Sequence, residues 1–221
     1  MIEAIFFDQD NTLVNSKAVT PAAYRQAIDY LALKMETHAD SLWLKWTEVV
    51  KKNNNSSNPK IRSLNYSLSR VCKNKKWIKE AILGIEEMLK KELELNQGVK
   101  EFFQVPKGKI KYILATEDYP RFLKIKINKF GLKDKFDLIT GNKEVGSMKP
   151  NLGYYEKAWK KFNLNPANCV YIGDKYEKDC EIGALRGGIT VLFGNEDERA
   201  SFEIKNFLEL KKIIEKIDIQ V

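Results

Sequence analysis

At 221 residues and 25.6 kDa, with 43% of residues hydrophobic, the chain can bury one substantial core with a smaller lobe beside it, which excludes a disordered chain. Its 38 Lys and Arg against 30 Asp and Glu leave a net charge of +8 that draws anions. The lysines are nevertheless spread as on solvated helix faces, with no basic stripe interleaved with aromatics, so nucleic acid is not an expected partner. No apolar run is long enough to cross a bilayer, no basic leader precedes the first apolar segment, and Cys72, Cys169 and Cys180 lack disulfide or zinc spacing. The expectation is a cytoplasmic protein with free thiols and no membrane partner.

The first predicted element is a strand over residues 2–7, a short apolar run that stops at the polar cluster Asp8-Gln9-Asp10-Asn11-Thr12. From about residue 15 to 96 there is no convincing strand. Helix-period segments occupy residues 22–35, 42–50, 61–71 and 77–95, and the polar stretch 53–59 divides them as a loop would. Beyond it the strand design returns: residues 110–115 before Thr116, 137–140 before Gly141, Cys169–Gly173 before Asp174, and 190–193 after a Gly-Gly pair. Helical patterns lie between them at 121–130, 152–162 and 179–186, and residues 207–217 read as a closing amphipathic helix. Short apolar strands alternating with helices predict an α/β fold, a doubly wound, Rossmann-like parallel sheet formed by residues 1–14 and 97–221, with 15–96 as an α-helical insertion. In such sheets ligands gather beyond the carboxyl ends of the strands, which is where the polar residues fall.

Two carboxylates one residue apart, Asp8 and Asp10, would alone be ordinary turn formers at a strand end. Their company changes the reading: a hydroxyl at Thr116, the Lys149-Pro150 pair, and Asp174 with Asp179 after another buried strand. Residues two apart on an extended segment point to one side, so both early carboxyls can address one substrate.

These residues resemble the haloacid dehalogenase-like hydrolase superfamily. Its first motif, an apolar strand followed by Asp-x-Asp-x-Thr, is matched by Phe7-Asp8-Gln9-Asp10-Asn11-Thr12, its second by Thr116, its third by Lys149, and its fourth by Gly173-Asp174 with Asp179. The resemblance implies a phosphohydrolase in which Asp8 attacks phosphorus to form an aspartyl-phosphate. Asp10 would serve as general acid and base, Thr116 would bond a phosphoryl oxygen, and Lys149 would neutralise charge on Asp8. It further implies a Mg²⁺ cofactor held by Asp8 and Asp174 through side chains and by Asp10 through its main-chain carbonyl, with Asp179 in the outer shell or steadying the lysine. Asp179 could instead cap the following helix. Oxygen-only ligands suit magnesium, whereas His38, the single histidine, lies in the insertion and is expected on the surface. For Asp10 to donate a proton near neutral pH, burial or a neighbouring carboxylate must favour its acid form.

Three positions depart from the family pattern. Asn11 stands where Gly is usual and suits positive φ, while Glu117 and Lys175 replace smaller residues and would compensate each other as an ion pair. The insertion resembles the helical cap of the family, which implies a small phosphorylated metabolite as substrate. Trp43, Trp46, Tyr66 and Trp77 read as core packing; Arg25, Arg62 and Arg70 are either contacts for a second anionic group or solvated charges. A 2-haloacid dehalogenase, a beta-phosphoglucomutase-like phosphomutase and an anion- or nucleic-acid-binding protein without turnover are the competing functions. The sequence does not separate a monomer from a homodimer.

Overall fold

The computed structural model describes every residue except 55, 57, 59, 142–144, 220 and 221. Its centre is β1 (Ala4–Phe7), a strand without a polar residue and buried throughout. Side-chain alternation sends Ala4 and Phe6 into one apolar cluster and Ile5 and Phe7 into another, as a central parallel strand covered on both faces requires. β4 (Lys111–Thr116) and β6 (Cys169–Gly173) flank β1 in register, Phe7 lying opposite Leu114 and Ile172. β5 (Leu138–Gly141) extends the β4 edge; β7 (Ile189–Phe193) and β8 (Phe202–Ile204) extend the β6 edge. The order is β5-β4-β1-β6-β7-β8, every neighbouring pair parallel. This is the predicted doubly wound sheet, and the order reverses around β1, so the crevice at its carboxyl end is the natural ligand position.

The insertion begins and ends on a two-stranded antiparallel ribbon, β2 (Val14–Asn15) against β3 (Glu94–Leu95). Asn96 ties this neck to the first turn after β1, its Nδ2 donating to the carbonyls of Asn11 (3.1 Å) and Thr12 (2.8 Å). Between the ribbon strands run α1 (Val19–Lys34), α2 (Ala39–Asn54), α3 (Leu64–Val71) and α4 (Lys75–Glu92). Ser63 caps α3 by accepting from the Tyr66 amide, and Asn74 caps α4 by accepting from those of Lys76 and Trp77. α1 lies along α4, burying Ile28, Leu31, Ile85 and Leu89 in a cluster that continues into the sheet face carrying Ile5 and Phe7.

Several details differ from the sequence reading. The ribbon was not expected, because two-residue strands carry no periodicity. β8 escaped notice as well, with Phe202 and Glu203 exposed and only Ile204 buried, and so did a short helix, α5 (Val99–Gln104). α2 continues through Asn53 and Asn54, where a loop was expected, since Asn53 is buried and donates to Ser67 Oγ at 2.9 Å. The remainder of that expected loop includes residues 55, 57 and 59, which lie outside the described residues. The three cysteines are free and buried, and His38 is exposed. Among the described residues no helix is long and apolar enough to cross a membrane.

Candidate active site

Asp8 follows β1 directly, its amide donating to the Ile172 carbonyl at 2.9 Å and so fixing the turn to the neighbouring strand. Its Oδ1 accepts from Lys149 Nζ at 2.6 Å and its Oδ2 from Thr12 Oγ1 at 3.1 Å. The same ammonium donates to Asp179 Oδ1 at 2.6 Å, so one buried lysine joins two carboxylates contributed by segments far apart in the chain. Asp179 lies in a π-helical turn, Tyr176–Cys180, a wider turn often found at functional sites. Its approach to β6 depends on Gly173: a Cβ there would meet the Asp179 side chain at 2.2 Å. Asp179 Oδ2 accepts from the Lys175 amide (3.1 Å), and the short helix Glu181–Ala184 starts without a side-chain cap, so the capping alternative does not hold.

One carboxylate oxygen from each of Asp8, Asp174 and Asp179 falls within 4.8 Å of the others. Oxygens on opposite sides of a six-coordinate magnesium ion stand about 4 Å apart, so small side-chain rotations would bring the three onto one ion. Three formal negative charges meet the single positive charge of Lys149, an excess that a divalent cation would balance. Burial pushes the Asp8 carboxyl up to about 8; Lys149 pulls the other way, and Asp179 adds to the rise. Asp174 is raised too, by burial and then by Asp179, with Lys175 and the Asn11 amide opposing. Hard oxygen donors held at this cost fit a hard cation.

Asp10 keeps its carboxylate apart from that group. Its Oδ1 accepts from Lys126 Nζ at 2.6 Å, and its side chain is 35% exposed, so of the two influences expected to favour its acid form, burial or a neighbouring carboxylate, burial is only partial. Asn11 beside it has φ +63°, the left-handed value anticipated where the family has Gly. Lys126, 2% exposed on α6 (Pro120–Lys129), also meets Asp118 at 2.8 Å, and Asp118 accepts from Gln9 Nε2 at 2.9 Å. Burial moves Asp118 up to about 6 against the pull of Lys126. For Lys126 itself burial acts downward, but Asp118 and Asp10 outweigh it and leave the ammonium above its ordinary value. Sequence reasoning missed Lys126, Asp118 and Gln9. One signal was available: Lys126 lies four residues after buried Phe122 and beside buried Ile127, on the apolar stripe of its helix.

Thr116 is buried at the end of β4, its Oγ1 accepting from the Asp118 amide at 3.1 Å. Glu117 does not meet Lys175 as expected. Its Oε1 accepts from the Lys149 amide (2.6 Å) and its Oε2 pairs with Lys178 (2.6 Å), because the π-helical turn brings Lys178 across to the β4 edge. Glu117, although it lines the cavity, is thereby paired with a cation and braces the segment carrying Lys149.

These groups surround a cavity of about 300 Å³ whose sheet side includes Asp8, Asp10, Thr116, Lys149 and Asp174. Its helical side is not formed by the tryptophans, which pack in the core as anticipated, but by Tyr24 of α1, Asn54 of α2 and Arg62 from the turn before α3. Of the arginines singled out, Arg25 pairs with Asp29 and Asp40 at the surface, Arg70 is exposed, and Arg62 is 3% exposed.

A parallel α/β sheet with this constellation at its carboxyl edge defines a hydrolase of the haloacid dehalogenase-like class, and the model of that family, haloacid dehalogenase-like hydrolase, matches residues 2–185. The chain belongs to this family. A "Glyceraldehyde 3-phosphate phosphatase" of Methanopyrus kandleri is 24% identical over 237 residues, covering 98% of this chain and 99% of the relative. Among solved structures, a HAD phosphatase from Thermococcus onnurineus superposes with a TM-score of 0.75 at 19% identity, over 96% of this chain and 98% of its own. A 2-haloacid dehalogenase from Pseudomonas syringae pv. Tomato does so with 0.73 at 17%, over 98% and 99%. Such structural likeness shows the fold alone. Family and phosphatase relatives together make the chain an enzyme of the phosphatase kind.

Proposed function

We propose that the chain is a magnesium-dependent hydrolase of a small phosphate monoester that works through an aspartyl-phosphate on Asp8. The observation that carries this reading is the junction of Asp8, Asp179 and Lys149, with an Asp174 oxygen within 4.8 Å of the other two carboxylates. Asp8, Asp174 and Asp179, with the main-chain carbonyl of Asp10, would hold the Mg²⁺, which when bound supplies charge neutralisation to the nucleophile and the phosphoryl group. In the first step an Asp8 carboxylate oxygen forms a bond to phosphorus while the ester oxygen leaves, taking a proton from Asp10. In the second, Asp10 takes a proton from water, the water oxygen bonds to phosphorus, and the bond to Asp8 breaks, releasing phosphate and restoring the carboxylate. Lys149 and Thr116 meet the phosphoryl oxygens throughout, and Lys126 orients Asp10. Residues 15–96 form the lid that excludes water from residues 1–14 and 97–221. The name of the M. kandleri relative supports a short phosphorylated metabolite, which a cavity of about 300 Å³ also favours. Carbon–halogen hydrolysis needs neither Asp10 nor a metal, so the acidic group around Lys149 favours phosphoryl transfer.

The test is phosphate release from p-nitrophenyl phosphate. Turnover requires Mg²⁺, stops with chelator, and falls by about 10⁴-fold or more in Asp8→Asn. Full activity in that variant rejects Asp8 as nucleophile.

A further inference from the structure

Arg62 is the place where the cavity is left chemically incomplete. Its side chain is 3% exposed, and Nε, Nη1 and Nη2 are all buried with no hydrogen-bond acceptor among the described residues. No carboxylate among those residues lies within ion-pairing distance of it, while in the same cavity Lys126, Lys149 and Lys178 each hold one or two. Buried polar groups in folded proteins find partners nearly always, and a desolvated guanidinium is among the costliest to leave without one. Five donors in a rigid planar fork, on a residue that lines the cavity containing the phosphoryl-transfer groups, await an acceptor brought in from outside.

We propose that Arg62 binds a carboxylate of the substrate, at the end remote from the transferring phosphoryl group. The substrate class is then a short phosphorylated carboxylic acid. Two features select a carboxylate over a second phosphate or a neutral end. The guanidinium carries one unmatched positive charge and a carboxylate one negative charge, in matching planar, bidentate geometry. A second phosphate would bring further negative charge beside Asp10 and Asp118, which already share Lys126. Tyr119 lies near enough for the Arg62 charge to oppose the rise in its own pKa, and with Tyr24 it walls this end with aromatic rings that strengthen a charge pair by excluding water.

This assignment rests on the phosphatase reading, and the test separates the two. A matched pair of probes, 3-phosphoglycerate and glyceraldehyde 3-phosphate, differs at one carbon, carboxylate against aldehyde. The native enzyme is expected to favour the acid in kcat/KM by tenfold or more, Arg62→Met to bring the ratio near one chiefly through KM for the acid, and Arg62→Lys to recover part of the preference. The melting temperature of Arg62→Met should be unchanged or higher, because an unmatched buried charge has gone; a purely structural role predicts a lower one. A native enzyme indifferent to the carboxylate, or a ratio that survives Arg62→Met, overturns the proposal. If neither probe is hydrolysed and p-nitrophenyl phosphate is not either, the phosphatase reading fails. Arg62 is then judged by calorimetric binding of 3-phosphoglycerate, which the Met variant should weaken at least tenfold and which, if unchanged, refutes the assignment.

Discussion

The two walls of the cavity handle charge in opposite ways. On the sheet wall, among the described residues, buried ions are shared within the protein, Lys149 holding Asp8 and Asp179, Lys126 holding Asp10 and Asp118, and Glu117 meeting Lys178, and only the acidic excess that includes Asp174 is left for a cation. On the helical wall Arg62 is buried with no acceptor among the described residues. A wall that performs the same chemistry on every substrate can be finished by the protein itself, since nucleophile, lysine and metal ligands must stand ready before binding. A wall that chooses among substrates gains discrimination by leaving a polar group for the right ligand to satisfy, because the wrong ligand then strands it. On the proposed reading, the chain divides preorganisation and selection between its two parts.

That contrast can be broken from the sheet side first. Lys149→Met leaves Asp8 and Asp179 buried together without their cation, and removing one partner of such a buried group costs about 3–5 kcal/mol. Turnover should be lost as well. The pH dependence has a definite sign: Asp8 is already raised by burial, and without Lys149 it is raised further. The folded state then keeps protons that the unfolded chain gives up, so the variant loses stability as pH rises above the unfolded carboxylate value. Chemical denaturation should therefore find a larger deficit at about pH 8 than at about pH 5, and an equal deficit at both would show that the Asp8 carboxyl does not depend on Lys149.

At the other extreme stands an arginine of the same helical insertion, outside the cavity, that faces solvent. Arg25 bonds Asp29 at 2.8 Å and Asp40 at 2.7 Å, with side chains 40%, 46% and 85% exposed. Water screens such pairs, so Arg25→Ala should leave turnover and the ratio between the acid and aldehyde probes where they were and shift melting only slightly. A change in that ratio would mean that selection is spread over the helical layer rather than focused at Arg62.

Legibility in the sequence followed the length and locality of each signal. Strands β1, β4, β5, β6 and β7 were readable because each is an apolar run stopped by a polar or glycine residue at its carboxyl end, and that junction also revealed Asp8, Thr116 and Asp174. Lys149 and Asp179 could be named from the resemblance, but their shared hydrogen bonds to one nitrogen exist only after the strands align. Lys126 was hidden among Lys124 and Lys129, and only its place on the apolar stripe of its helix, beside Ile127 and four residues after Phe122, hinted that it is 2% exposed. Arg62 was noticed together with Arg25 and Arg70, yet separating them required burial, a tertiary property. The Glu117–Lys175 pairing failed for a geometric reason, since the π-helical turn changes which residue after Asp174 points back at β4. The ribbon and β8 are too short to impose a period on their sequences.

The measurement that bears most directly on the account is chemical capture of the intermediate. Enzyme quenched in acid during turnover, reduced with borohydride and digested, should carry the mark of an acyl-phosphate at Asp8 alone, in a yield that disappears when Mg²⁺ is chelated beforehand. Sustained phosphate release with Asp8 unmarked, or with the mark on Asp10 or Asp174, would contradict it.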